Sequence, residues 1–143
     1  MKRRATAEWR GGGKDGSGTL TTPSGVLNEQ PYSAFLRFES EDGRQGTNPE
    51  ELIAAAHAGC FTMALSFQLS GAGFTAERLV TDAELTMLKE DIGWTTKTIA
   101  LTLRATVPGI SREQFTDLAN KAKAGCPVSR LLKADITLDA ELD

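Results

Sequence analysis

One long apolar helix, set between two groups of strands, constrains this chain more than any other feature. Asn48-Pro49-Glu50-Glu51 reads as its start. Asn48 can cap the first turn, Pro49 suits the first helical position, and Glu51 stands where a capping-box carboxylate reaches back. The helix runs to about Ser70 and ends at Gly71. It is apolar on nearly every side, through Leu52, Ile53, Ala54, Ala55, Ala56, Phe61, Met63, Leu65, Phe67 and Leu69. A helix with no polar face is expected to be buried all round. A chain of 143 residues has few places to hide one, so a second subunit is expected to cover part of it.

The segments on either side are β-prone. Residues 5–10 alternate, turn at the glycine-rich run 11–18, and continue into 19–22 as a hairpin. Residues 33–39, with Phe35, Arg37 and Phe38, read as a third strand, followed by a polar loop at 40–47. Beyond the helix, 79–89 and 94–107 form a strand pair turning at Glu90-Asp91-Ile92-Gly93. In the second of these, Ile99, Leu101, Leu103, Ala105 and Val107 share one face, and Thr98, Thr102, Arg104 and Thr106 the other. That is the alternation of a half-buried antiparallel strand. A helix at 111–123 carries a Ser111/Gln114 capping box and buries Phe115, Leu118, Ala119 and Ala122. A short helix at 126–133 and a strand at 135–142 complete the order βββ-α-ββ-αα-β. Strands and helices grouped in this way imply an α+β fold with an antiparallel sheet.

Composition narrows the function. Net charge is −3 with both signs scattered, and there is no basic patch for nucleic acid. Met1-Lys2-Arg3-Arg4 is followed by no apolar signal-peptide region, and no stretch is expected to span a membrane. The expectation is a cytoplasmic protein. In the run Gly11-Gly12-Gly13-Lys14-Asp15 an aspartate follows the lysine and a strand comes next. A phosphate loop wants Ser or Thr there and a helix behind it, so this is a hairpin turn.

The chain has two cysteines, and in a reducing compartment such thiols are more often redox-active or metal-binding than structural. Cys126, between Gly125 and Pro127, stands at a helix start, where backbone N–H groups favour a thiolate. Cys60 lies within the long helix and needs a cation from elsewhere, and Arg37 is a candidate. His57, the only histidine, is one turn from Cys60 on the same helix. It is poorly aimed as a hydrolase base and is expected to pack or to tune a cysteine. Two thiols and one imidazole fall short of the four ligands of a structural zinc, so no metal or cofactor is expected. Glu50 is a helix-start carboxylate, ten residues or about 15 Å from Cys60 along one helix. If two copies of this helix crossed antiparallel near Ala54-Ala55-Ala56, Glu50 of one would approach Cys60 of the other. These residues leave open which thiol reacts first. They also leave room for a binding module with buried thiols or, more remotely, a Cys–His hydrolase.

Three segments, Gly46-Thr47-Asn48-Pro49-Glu50-Glu51-Leu52, His57-Ala58-Gly59-Cys60-Phe61 and Ala124-Gly125-Cys126-Pro127-Val128-Ser129, closely resemble the OsmC/Ohr family of osmotically inducible and organic-hydroperoxide-resistance proteins. Ser24-Gly25-Val26-Leu27-Asn28 and Gln30-Pro31-Tyr32 match as well. His57 and the valine after Cys126-Pro127 resemble the OsmC branch. The resemblance implies antiparallel β-sheets packed on a long buried central helix, one domain over residues 1–143, in an intertwined homodimer. It implies a thiol peroxidase for organic hydroperoxides, less active on hydrogen peroxide. In that role Cys60 attacks the peroxide, Cys126 resolves the sulfenic acid as a disulfide, and an arginine orients the substrate beside Glu50. Arg37 is the expected arginine, with Arg10 and Lys14 of the first hairpin as alternatives. An external dithiol, such as a lipoylated protein, is the expected reductant.

Overall fold

The computed structural model describes residues 1–40 and 44–143. The expected polar loop at 40–47 therefore lies partly outside the described residues. By its internal contacts the chain divides into Met1–Leu52 and Ile53–Asp143.

In the first unit, β1 (Thr6–Arg10), β2 (Ser17–Thr21) and β3 (Gln30–Ser33) form an antiparallel sheet in that order. Gly18 faces Trp9 across one strand pair and Tyr32 across the other. A side chain at Gly18 would strike the Glu8 carbonyl and the Tyr32 ring. Its absence leaves room for the Trp9 and Tyr32 rings, whose centroids lie 5.3 Å apart at 56°. The third strand is not where the sequence puts it. Residues Ala34–Phe38 form a short helix, α1, because the Ser33 hydroxyl accepts from the Leu36 N–H at 3.1 Å and caps a helical turn. Phe35 and Phe38 stand at helical spacing, and the aromatic content of 33–39 signals strand only where a partner strand exists.

The long helix α2 (Pro49–Gly71) begins as expected, with Asn48 Oδ1 accepting from the Glu51 N–H at 2.8 Å. The Glu51 carboxylate is held by the Thr47 hydroxyl, 2.6 Å away.

In the second unit, β4 (Arg78–Glu90), β5 (Gly93–Thr106) and β6 (Asp135–Leu142) form a sheet in that order. The β4–β5 pair is antiparallel, with an irregularity between Thr86 and Met87, and Gly93 takes the positive φ of 123° at its turn. The β5–β6 pair is parallel, so the wholly antiparallel sheet expected from the sequence is corrected to a mixed one. The cause is the connection: α3 (Arg112–Gly125) and α4 (Pro127–Leu131) carry the chain back along the sheet, and a helical crossover returns a strand parallel. The capping box at Ser111 and Gln114 is formed.

The core of this unit joins Phe61, Leu65 and Leu69 of α2, Ile99, Leu101, Leu103 and Ala105 of β5, and Phe115, Ala119 and Ala122 of α3. On α2 the buried residues are His57, Phe61, Leu65 and Leu69, one stripe at i, i+4 spacing. Thr62 Oγ1 ties the helix to β4 through Thr81 Oγ1 at 2.7 Å. The helix is not buried all round within one chain: Met63 is 62% and Phe67 71% exposed. The expectation that no stretch could span a membrane is also corrected. By length and mean hydropathy (1.5) α2 is long and apolar enough to do so, although its His57-to-Leu69 stripe lies in a protein core.

Candidate active site

Cys60 projects from the middle of α2. Cys126 is the residue at which α3 ends and α4 begins. Its N–H closes α3 on the Ala122 carbonyl at 2.9 Å, and its carbonyl accepts from the Arg130 N–H of α4 at 3.0 Å. Pro127 fills the first position of α4, where its lack of an N–H costs nothing. One residue shared by two helices has little freedom, and this fixes the Cys126 backbone. The two sulfurs lie 3.0 Å apart and share a hydrogen bond, both as free thiols. A separation about 1 Å longer than a disulfide bond needs little motion to close.

The thiols differ in access and in electrostatics. Cys126 is fully buried, whereas Cys60 is partly exposed. Cys60 opens on a cavity of about 360 Å³ lined by Met63, Ala64, Phe67, Gln68 and Pro127. Burial pushes the Cys60 thiol up, and the hydrogen bond and charge of Cys126 push it further, against a smaller opposing effect from the Val128 backbone. Burial works against a thiolate at Cys126 too. There it is outweighed by the hydrogen bond from Cys60, by the backbone N–H and hydroxyl of Ser129, and by the Val128 N–H, so the Cys126 thiol is held below its ordinary value. The first proton to leave the pair leaves its charge mainly on Cys126, and the second is held tightly.

His57 is fully buried, and its Nε2 lies 2.7 Å from the Ser129 Oγ. Burial lowers its pKa, so the ring is neutral. With Nε2 engaged by Ser129, the ring is not hydrogen-bonded to a cysteine as a hydrolase base would be. Among the described residues its Nδ1 has no partner.

Arg37 and Glu50 meet within the first unit. Arg37 lies on α1, not on a strand, and donates to both Glu50 oxygens, Nε to Oε2 at 3.0 Å and Nη2 to Oε1 at 2.6 Å. Its guanidinium also stacks on the Phe38 ring at 4.9 Å. A fork-to-fork pair of this kind uses two of the five guanidinium N–H donors and fixes the plane of the group. Beside it is a cavity of about 150 Å³ lined by Trp9, Tyr32, Phe38 and Pro49. The alternative Arg10 is paired to Glu8 on an exposed surface, and Lys14 is exposed in the first turn. The structure therefore makes two pairs, Cys60 with Cys126 and Arg37 with Glu50, each inside its own unit. Ser129 was visible in the motif at 124–129 without a role. Its partner is 72 residues away, and no local pattern announces such a contact. Among the described residues no group of three or more His, Cys, Asp and Glu side chains could hold a metal ion.

Residues 41–141 match the family model described as OsmC-like protein. Peroxiredoxin OsmC of Escherichia coli (strain K12) is 52% identical over 142 residues, covering 99% of this chain and 97% of that protein. The crystal structure of the organic hydroperoxide resistance protein OhrB of Bacillus subtilis superposes with a TM-score of 0.69 at 27% identity, covering 96% of this chain and 98% of the other. An OsmC-like protein from Mycoplasma pneumoniae shares the fold at a TM-score of 0.78 and 16% identity, covering 99% and 97% of the two chains.

Proposed function

Since the chain belongs to the OsmC-like protein family, we propose that it is a cysteine-based peroxidase that reduces organic hydroperoxides, and hydrogen peroxide less well, at Cys60, with Cys126 closing the disulfide. The observation that carries this reading is the thiol pair itself: two free sulfurs 3.0 Å apart, one buried and one opening on an apolar cavity. A binding module has no use for such a pair. Reach favours Cys60 as the attacker, since a peroxide cannot approach a sulfur with no exposed surface.

Cys60 needs help to attack, because its own surroundings raise its thiol. Two sources are at hand. The first is the shared proton, which lets the charge pass from Cys126 to Cys60 across the hydrogen bond. The second is the Arg37 guanidinium, oriented by Glu50, which would favour the Cys60 thiolate and bind the peroxide oxygens. The thiolate attacks the distal oxygen and the O–O bond breaks. The alcohol leaves after its alkoxide takes the proton remaining on the pair, giving Cys60–SOH and the Cys126 thiolate. Cys126 then attacks the Cys60 sulfur, the S–O bond breaks, and hydroxide leaves to become water with a solvent proton. An external dithiol restores both thiols, and lipoylated proteins are candidates for that role.

The reading takes residues 1–143 as one functional domain and the working protein as a homodimer in the cytoplasm. The exposed Met63 and Phe67 of α2 support a second copy, since apolar side chains of this size on one helix call for a cover. If the helices cross antiparallel near Ala54-Ala55-Ala56, the Arg37–Glu50 pair of one copy serves Cys60 of the other.

Steady-state consumption of several hydroperoxides with dithiol donors tests the assignment. Cys60→Ser should abolish turnover. Cys126→Ser should form a sulfenic acid, trappable by a dimedone reagent, and stall with dithiol. Full turnover by Cys60→Ser would refute the reading.

A further inference from the structure

His57 and Ser129 are not used by the chemistry above, yet their contact runs beside the thiol pair. His57 stands three residues before Cys60 on α2, and Ser129 three residues after Cys126 on α4. Residues three apart on a helix are neighbours on its surface. The contacts His57 Nε2 to Ser129 Oγ at 2.7 Å and Cys60 Sγ to Cys126 Sγ at 3.0 Å are therefore two adjacent rungs between α2 and the segment that carries Cys126. The first rung is built at a cost. His57 is fully buried, and its Nδ1 has no partner among the described residues. An apolar side chain of similar size would fill the position without a stranded nitrogen. What the imidazole adds is its bond to Ser129, and α4 has need of it. That helix is five residues long and has no buried residue, and Val128 packs on the core only as a partly buried side chain. Packing alone holds such an element weakly.

We propose that His57 and Ser129 are positioning residues that hold the α3–α4 junction against α2, so that Cys126 stays within bonding reach of Cys60 until the disulfide closes. The inference rests on the disulfide of the proposed function. At the Cys60 sulfenic acid two reactions compete. In closure, the Cys126 thiolate attacks the Cys60 sulfur, the S–S bond forms, the S–O bond breaks, and hydroxide leaves to take a solvent proton. In the other, a second hydroperoxide gives its distal oxygen to the same sulfur, its O–O bond breaks, an alcohol leaves, and Cys60 becomes a sulfinic acid that a dithiol does not restore. Closure wins when its two sulfurs are already in place. Without the His57–Ser129 rung the junction is held less closely. Closure then slows, and the sulfenic acid waits longer for the second oxidation.

The first test needs no peroxide. The full chain is equilibrated with reduced and oxidised glutathione. The protein dithiol reduces one glutathione disulfide to two glutathione thiols and becomes the protein disulfide. The equilibrium constant reads how closely the two sulfurs are held together. Ser129→Ala should lower it about tenfold, the effect of one lost buried hydrogen bond, and Ser129→Thr, which keeps the hydroxyl, should restore it. Under excess tert-butyl hydroperoxide, Ser129→Ala should also raise the ratio of Cys60 sulfinic acid to disulfide, read by mass spectrometry, whatever the rate of the first oxidation. A bond of merely structural value would lower the unfolding midpoint and leave the glutathione equilibrium of the folded protein unchanged, and that result would overturn the proposal. A shift toward disulfide would overturn it too, since it would mean that the hydroxyl serves the Cys126 thiolate and not the spacing. If Ser129→Ala does not fold, the double variant His57→Phe with Ser129→Ala replaces both polar partners by apolar ones and removes the stranded nitrogen. The same loss is expected there, and an unchanged equilibrium overturns the proposal equally. A protein that shows the glutathione effect but consumes no hydroperoxide counts against the peroxidase reading alone.

Discussion

At the scale of single residues, the two cysteines stood out in the sequence because their settings were wrong for mere packing. Their settings alone left open which of them attacks, and the family resemblance implied Cys60. The difference in exposure and the 3.0 Å contact that bear on this choice join residues far apart in the chain. His57 shows the same limit. The sequence put it one turn from Cys60, and the fold turns it to Ser129 instead. Its buried, neutral state has a consequence for stability. Its pKa is lowered on folding, so below about 6.5 the unfolded chain binds a proton that the folded chain refuses. The contribution is complete above that value and is lost as the pH falls through it toward the lower folded value. Urea unfolding between pH 7.5 and 5.5 should show stability dropping with acid. His57→Gln should flatten the slope, and the chain has no other histidine to obscure the result.

At the scale of elements, the periodic segments were the legible ones. The alternation on β5 and the capping box of α3 depend on neighbours in sequence, and they appear where expected. At α2 the Asn48 cap forms, but the Glu51 carboxylate is taken by the Thr47 hydroxyl. The short helix α1 did not match its expectation, because one serine hydroxyl decides it. Nor did the direction of β6, which follows from the path of α3 and α4 and not from its own residues. The site depends on this path, since the α3–α4 junction brings Cys126 to Cys60. The first turn of α3 is anchored by Phe115, which is fully buried in the core cluster. Phe115→Ala should cost about 3–5 kcal/mol in chemical denaturation. Ser111→Ala, which removes only the cap of α3, should cost about 1 kcal/mol. A Phe115→Ala loss below that of the cap variant would show that α3 is not held by its core face.

At the scale of the whole molecule, family membership rests on matches that run through nearly all of the chain, and the sequence motifs already pointed there. Apart from the homodimer that the resemblance implied, the residues themselves spoke to the number of copies through an excess of apolar surface on one helix. The structure sharpens that excess to Met63 and Phe67. If a second copy covers them, the double variant Met63→Glu and Phe67→Glu should shift the sedimenting species from dimer to monomer. The same variant should lower peroxidase activity if the partner completes the site. An unaltered sedimentation coefficient would move the contact to another face.

The shared position of Cys126 between α3 and α4 also bears on mechanical strength. When the disulfide closes, it ties the middle of α2 to that junction across 66 residues of chain. A cross-link over a loop of this length should stabilise the fold by about 4 kcal/mol through the entropy denied to the unfolded state. Oxidised protein should therefore need distinctly more urea to unfold than reduced protein. Each catalytic cycle would fasten and release a clasp in the hydrophobic core, and a protease encountering this chain would find its spent form the harder one to digest.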